Sequence, residues 1–156
     1  MIIDPVYTDR IFDIEVGQTI VYPAGSTQLT ISLTNGQRVI TGIQKLVQRY
    51  MILFLTTEES VHFNQEIGTN FVNALLQNGI KLYNQLFGLF AISNISVIKQ
   101  LSLDTEGMPD DEILKSAELV DFDIDTANQR LRLNVKIISM AGDAVEFVLP
   151  TAIVRS

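Results

Sequence analysis

Leu119-Val120-Asp121-Phe122-Asp123-Ile124-Asp125, then Thr126-Ala127-Asn128-Gln129, then Arg130-Leu131-Arg132-Leu133-Asn134-Val135-Lys136-Ile137: this stretch decides the fold of the chain. Val120, Phe122 and Ile124 alternate with three aspartates, and Leu131, Leu133, Val135 and Ile137 alternate with Arg130, Arg132, Asn134 and Lys136. A period of two with one apolar set is the pattern of a half-buried strand. With residues 126–129 as the loop, Ile124 falls opposite Leu131, Phe122 opposite Leu133 and Val120 opposite Val135. On the other face Asp125 meets Arg130 and Asp123 meets Arg132. A slip of one residue would set apolar side chains against charges, so the pattern specifies its own pairing.

The next turn repeats the logic. Met140-Ala141-Gly142 reads as a three-residue hairpin loop with Gly142 in the left-handed position. Ile137 then faces Val145, Val135 faces Phe147, and Lys136 lies opposite Glu146. An exposed ion pair contributes only about 0.2–1 kcal/mol, so these charges set register more than stability. The expectation is a three-stranded antiparallel meander with one apolar face.

Upstream, residues 42–103 carry a helical period. Ile43, Leu46, Val47, Tyr50 and Phe54 share a face, with Gln44, Lys45, Gln48 and Arg49 turned away. A polar connection, Thr56 to Gly68, follows. Gly68-Thr69 offers a turn and an N-cap oxygen before Phe71, Val72, Leu75 and Leu76 resume the period. Gly79 is a stop for that helix. A further pattern runs through Leu82, Leu86, Leu89 and Phe90, with a restart through Ile95, Ile98 and Leu101. The aromatics Phe71, Tyr83, Phe87 and Phe90 at helical spacing read as a core or interface stripe. Asp104 to Pro109 breaks the helix, and Asp110-Asp111-Glu112 opens a short one, its acids suited to the positive end of a helix dipole.

Residues 1–41 read as a separate β-rich arm: Leu29, Ile31 and Leu33 alternate with Thr30 and Ser32, and Asn35-Gly36 is a turn signal before Arg38-Val39-Ile40. The fold class is therefore α+β, a helical middle packed on a C-terminal three-stranded antiparallel meander, with a small β-rich N-terminal arm. The two parts are 1–41 and 42–156.

At 156 residues the chain is long enough for a real core. Hydrophobic residues make up 47% and charged residues only 19%, against roughly 25% in ordinary soluble domains. Mean hydropathy is +0.25. So little charge points to a surface covered by partner chains or to a membrane segment. The longest apolar-rich stretch, Leu82 to Ile98, is interrupted by Asn84, Gln85, Ser93, Asn94 and Ser96, so membrane insertion is not expected. Met1-Ile2-Ile3-Asp4-Pro5 has no basic region leading into a long apolar run, and no secretory signal is expected. Eleven basic residues against eighteen acidic ones, a net charge of −7, disfavour a nucleic-acid surface.

The inventory for chemistry is thin. Cysteine is absent, which excludes disulfides, thiol catalysis and thiolate metal sites. His62 is the single histidine, so no histidine pair can hold a metal. Neither GxGxxG nor GxxxxGK[ST] occurs. Glu58-Glu59 and Asp110-Asp111-Glu112 are the carboxylates that could supply an acid and a base for glycoside cleavage, given a separation of roughly 5–10 Å and one raised pKa. Capping and solubility are the simpler reading of adjacent acids. Asp121, Asp123 and Asp125 suggest calcium, but Arg130 and Arg132 already account for them. No catalytic, cofactor or metal residue is assigned. The tail Thr151-Ala152-Ile153-Val154-Arg155-Ser156 is β-prone past Pro150: either a frayed end or a strand offered to a neighbouring sheet edge.

The helix of residues 42–54, the threonine-containing loop, the Gly68-Thr69 helix start, Pro109-Asp110-Asp111-Glu112 and the closing meander occur in an order that resembles the baseplate wedge family of contractile phage tails, the sheath-initiator type, also found in type VI secretion and related injection systems. The likeness spans roughly residues 40–150. It implies a structural subunit, not an enzyme, located in the virion tail baseplate and made in the host cytoplasm. The implied partners are other wedge subunits and the tail sheath protein, bound in part through a sheet on which sheath assembly begins. Many members carry a Glu-Pro-Arg triplet near the start of the β region; the nearest counterpart here, Glu118-Leu119-Val120, lacks the proline and arginine. Thr151, Ala152, Ile153 and Val154, with Glu118, are the candidate partner-binding residues. Some relatives carry an acidic-lysozyme label, so a glycan hydrolase is one alternative. An interaction module of another oligomeric machine is the other.

Overall fold

The computed structural model describes residues 13–14, 18–21, 27–30, 39–60, 66–78, 83–103, 105–125 and 127–152. In the arm, β1 (Asp13–Ile14), β2 (Gln18–Val21), β3 (Thr27–Thr30) and β4 (Val39–Ile40) form two small antiparallel pairs, β1 with β4 and β2 with β3. The Asn35-Gly36 turn lies outside the described residues, as do His62 and Gly79. Then come α1 (Ile43–Leu55), α2 (Phe71–Asn78) and α3 (Tyr83–Ser102). A single 3₁₀ turn, Asp110–Glu112, leads into β5 (Leu114–Asp125), β6 (Arg130–Ser139) and β7 (Ala144–Ala152), an antiparallel sheet in the order β5-β6-β7. The architecture is the expected α+β one, helices on one face of a C-terminal meander.

The register follows the sequence pattern almost throughout. Ile124 pairs with Leu131, Phe122 with Leu133, Asp123 with Arg132 and Asp125 with Arg130. Val135 pairs with Phe147, Lys136 with Glu146 and Ile137 with Val145. Gly142 takes φ +92° in the second turn, and Ser139 N–H closes the loop onto the Asp143 carbonyl at 2.9 Å. One pairing differs. A bulge between Leu119 and Asp121 sets Leu119, not Val120, opposite Val135, and leaves Val120 49% exposed. A bulge inserts one unpaired residue and reverses the facing of everything beyond it. Strict alternation could not register it, because Leu119 and Val120 are both apolar.

The core lies between the sheet and the helices. Leu131, Leu133, Val135 and Ile137 from β6, with Phe147 and Leu149 from β7, meet Leu46, Val47, Tyr50 and Phe54 of α1 and Leu86, Phe90, Val97 and Leu101 of α3. Phe54 is the hub, with ring centroids 4.7 Å from Phe71 and 5.3 Å from Phe90. Tyr50 meets Phe147 edge-on at 5.9 Å, joining α1 to β7.

Two helical expectations need correction. The expected break before Ile95 is absent, since α3 is one helix of 20 residues. Its inward stripe is Leu86, Phe90, Ser93, Val97 and Leu101, and Ile95 points out, 67% exposed. On α1, Gln48 is buried rather than turned to solvent, and Lys45 is drawn in by a carboxylate partner. Among the described residues no helix is long and apolar enough to cross a membrane.

Candidate partner-binding surfaces

The first surface is the sheet. Its outer strands are β5 and β7. Residues on β5 are tied to α3 through a polar relay: Tyr50 Oη donates to Asn94 Oδ1 at 2.7 Å, and Asn94 Nδ2 donates to the Ala117 carbonyl at 2.9 Å. Burial pushes the Tyr50 phenol far above its ordinary pKa, so it remains a donor at any physiological pH. Phe87 of α3 adds an edge-on contact to Phe122 of β5, 5.3 Å between centroids.

β7 carries no comparable tie to a helix through its last described residues. Thr151 pairs with Leu131 and Ala152 with Arg130 at the end of the ladder. β3 of the arm lies close to β7, outside the ladder. The Thr151 hydroxyl is buried and has no hydrogen-bond partner among the described residues. Such an orphan costs on the order of 1–3 kcal/mol. Ile153 and Val154 lie outside the described residues. Glu118 is exposed on β5 opposite Lys136, whereas Thr151 lies on β7 opposite Leu131. The two outer strands of the sheet thus separate Glu118 from Thr151.

The second surface is a cleft of about 970 Å³ between α1, the 56–68 connection and the C-terminal half of α3. Ile52, Leu53, Ile67 and Leu103 supply its apolar lining. Glu58, Glu59 and Glu66 come from the connection, Arg49 and Lys99 from the two helices. A knot of hydrogen bonds fixes this geometry. Gln100 grips the backbone of Gly68 at both ends, accepting its N–H at 2.9 Å and donating to its carbonyl at 2.8 Å. Thr69 donates its hydroxyl to the Phe54 carbonyl at 2.7 Å and accepts the Phe71 N–H at 3.3 Å. The expected N-cap oxygen sits one residue early: α2 begins at Phe71 with Asn70 at the cap, and Thr69 bonds the first helical N–H from the position before it. Gly68 has φ +107°, and a Cβ there would overlap the Thr56 carbonyl oxygen. Only glycine fits.

The third feature is a latch. Glu112, 2% exposed, accepts the Thr41 hydroxyl at 2.7 Å and the Gly42 N–H at 3.1 Å, and pairs with Lys45 Nζ at 3.0 Å. Burial alone would raise its pKa, but the hydrogen bonds from Thr41, Lys45 and Gly42, with the Lys45 charge, hold it below the ordinary glutamate value. The dipole it meets is that of α1, not of its own short turn. That turn is pinned to the sheet, with Met140 N–H on the Ile113 carbonyl at 2.9 Å and Ala141 N–H on the Asp110 carbonyl at 3.2 Å.

These positions bear on the carboxylates singled out in the sequence. Glu58 and Glu59 line the cleft, but Glu112 is locked on Lys45, with a lowered pKa where a general acid needs a raised one. Asp125 turns its carboxylate to Asn128, accepting from its side-chain amide and from its backbone N–H at 3.1 Å, which lowers its pKa. Among the described residues no group of three or more acidic or histidine side chains could hold a metal. The roles of Asn94, Gln100 and Glu112 were not read from the sequence. For Asn94 and Gln100 the available signal was an amide on an apolar-rich helix, but Asn84 and Gln85 of the same helix carry the same signal. No family model, curated protein or solved structure matches this chain.

Proposed function

We propose that this chain is a non-enzymatic structural subunit of a contractile tail baseplate, one that binds neighbouring wedge subunits through its helices and offers the β7 side of its sheet to the first sheath strands. The observation that supports this reading most directly is β7 itself: an outer strand, with a buried hydroxyl at Thr151 that has no partner among the described residues, beside a β-prone tail. An arriving strand extends such a ladder by main-chain hydrogen bonds. The low share of charged residues, 19%, agrees with a surface largely covered in an assembly.

The test is affinity capture of the tagged chain from cells making its native particles. Wedge and sheath subunits recovered in fixed ratio support the reading. A soluble monomer recovered alone rejects it. Deleting residues 151–156 separates the two halves of the proposal: sheath assembly that survives the deletion removes the templating role and leaves the wedge contacts to be judged separately.

A further inference from the structure

We propose that the cleft between α1 and α3 is a docking groove for an amphipathic helix of a partner chain, one that carries lysine or arginine on the flank facing the 56–68 connection. Its chemistry is the same whichever assembly the chain belongs to.

The apolar evidence comes first. Ile92 and Leu103 are 71% and 74% exposed, and Ile95 nearly as much. Gly88, Ile92, Ile95, Lys99 and Leu103 fall at spacings of three and four, along one face of α3 and its C-terminal end. Leu103 and Lys99 line the cleft, and Ile52 from α1 lines it beside them. The stripe therefore runs for roughly 22 Å and ends in the groove. An occupant matching it needs apolar side chains at i, i+3/i+4 and i+7, which is the helix-in-groove mode of recognition.

Charge selects the kind of helix. Glu58, Glu59 and Glu66 all stand on the connection side of the cleft, while Arg49 and Lys99 stand on the helices that form the other side. A helix with basic residues toward the connection meets the carboxylates of Glu58, Glu59 and Glu66. A second copy of this chain does not. Its own groove presents the same glutamates, and each molecule already carries a net charge of −7. The Gly68-Thr69 end of the connection is fastened before anything binds, Gly68 by Gln100 of α3 and Thr69 by the Phe54 carbonyl of α1. That end of the groove therefore loses little further ordering entropy on docking.

The experiment titrates the intact chain into two dye-labelled helical peptides and follows fluorescence anisotropy at low and high salt. Both peptides carry leucines at i, i+4 and i+7. One has lysines on a single flank, the other glutamates there. The lysine peptide should bind on the order of tenfold tighter at low salt, and the preference should shrink as salt rises. The triple variant Glu58→Lys, Glu59→Lys, Glu66→Lys should reverse the preference. Ile95→Asp should weaken both peptides. All four positions are exposed, so these variants leave the core intact. Equal affinity for the two peptides, no binding of either, or binding indifferent to the triple variant would overturn the proposal. So would dimerisation of the chain that Ile95→Asp abolishes and the lysine peptide does not compete.

Discussion

The phenol of Tyr50 donates to Oδ1 of Asn94 across 2.7 Å, and through the other end of the same amide α3 holds the backbone of β5. One side chain therefore fastens α1, α3 and the sheet together. Asn94→Ala strands a fully buried hydroxyl and should cost about 2–3 kcal/mol of unfolding free energy. Tyr50→Phe should cost only about 1 kcal/mol. The double variant should be less destabilised than the sum of the two, read by urea denaturation; strict additivity would mean the bond carries no coupling.

Gly68 has no room for a side chain. Gly68→Ala meets both a left-handed φ and a backbone oxygen where the new Cβ would stand, and should lose at least about 2 kcal/mol. Gln100→Leu, which removes only the side-chain grip, should lose less and leave α2 intact by circular dichroism. If Gly68→Ala folds with unchanged stability, the backbone there is not as described.

Acid should weaken the protein through Glu112. Its folded pKa is depressed, so its contribution is full above the ordinary glutamate pKa, about 4.3, and is lost as pH falls through that value toward the folded one. Unfolding free energy measured from pH 6 downward should therefore fall less steeply in Glu112→Gln than in the native chain. Lys45→Ala should be more damaging at pH 7, on the order of 3 kcal/mol, because it leaves the buried carboxylate without its charge partner.

The sheet register can be checked by exchanging charges. Asp123→Arg places like charge opposite Arg132, and adding Arg132→Asp restores the pairing. Thermal denaturation should show the double variant more stable than the single one, by some tenths of a kcal/mol. No recovery would mean the two residues do not face each other.

Gly88 offers a gain. It sits inside α3, and a methyl group added there would meet nothing within 4 Å, so Gly88→Ala should add up to about 1 kcal/mol from helix propensity alone. A loss on chemical denaturation would show that the position is not open.

The meander was legible because its chemistry repeats with period two and its charges pair across strands. Its bulges on β5, at 114–116 and 119–121, were not; at the second, Leu119 and Val120 serve equally well as the inward residue until the partner strand is in place. Helix α1 was legible by its apolar face, but Gln48 and Lys45 show the limit of that reading: a polar residue on the outer face of an isolated helix can be inner once the rest of the chain arrives. Ile95 misled for the converse reason, being apolar without being core. As for the sites, the threonine-glycine turn was visible from Gly68-Thr69, while Gln100 and Glu112 act on backbone more than thirty residues away, a distance no local pattern spans.

The contacts that close the core join residues made far apart during synthesis. Thr41 and Glu112 lie 71 residues apart, and Phe147, the sheet residue against Tyr50, comes later still. While the ribosome has made α1 and α3 alone, the apolar face of Leu46, Tyr50 and Phe54 has no sheet to close upon. The side chains that cover this face from the sheet, Leu131, Leu133, Val135 and Ile137 of β6 with Phe147 and Leu149 of β7, are the last to be made. A chain cut short before Phe147 should thus be a substrate for chaperones and proteases, not a smaller working domain.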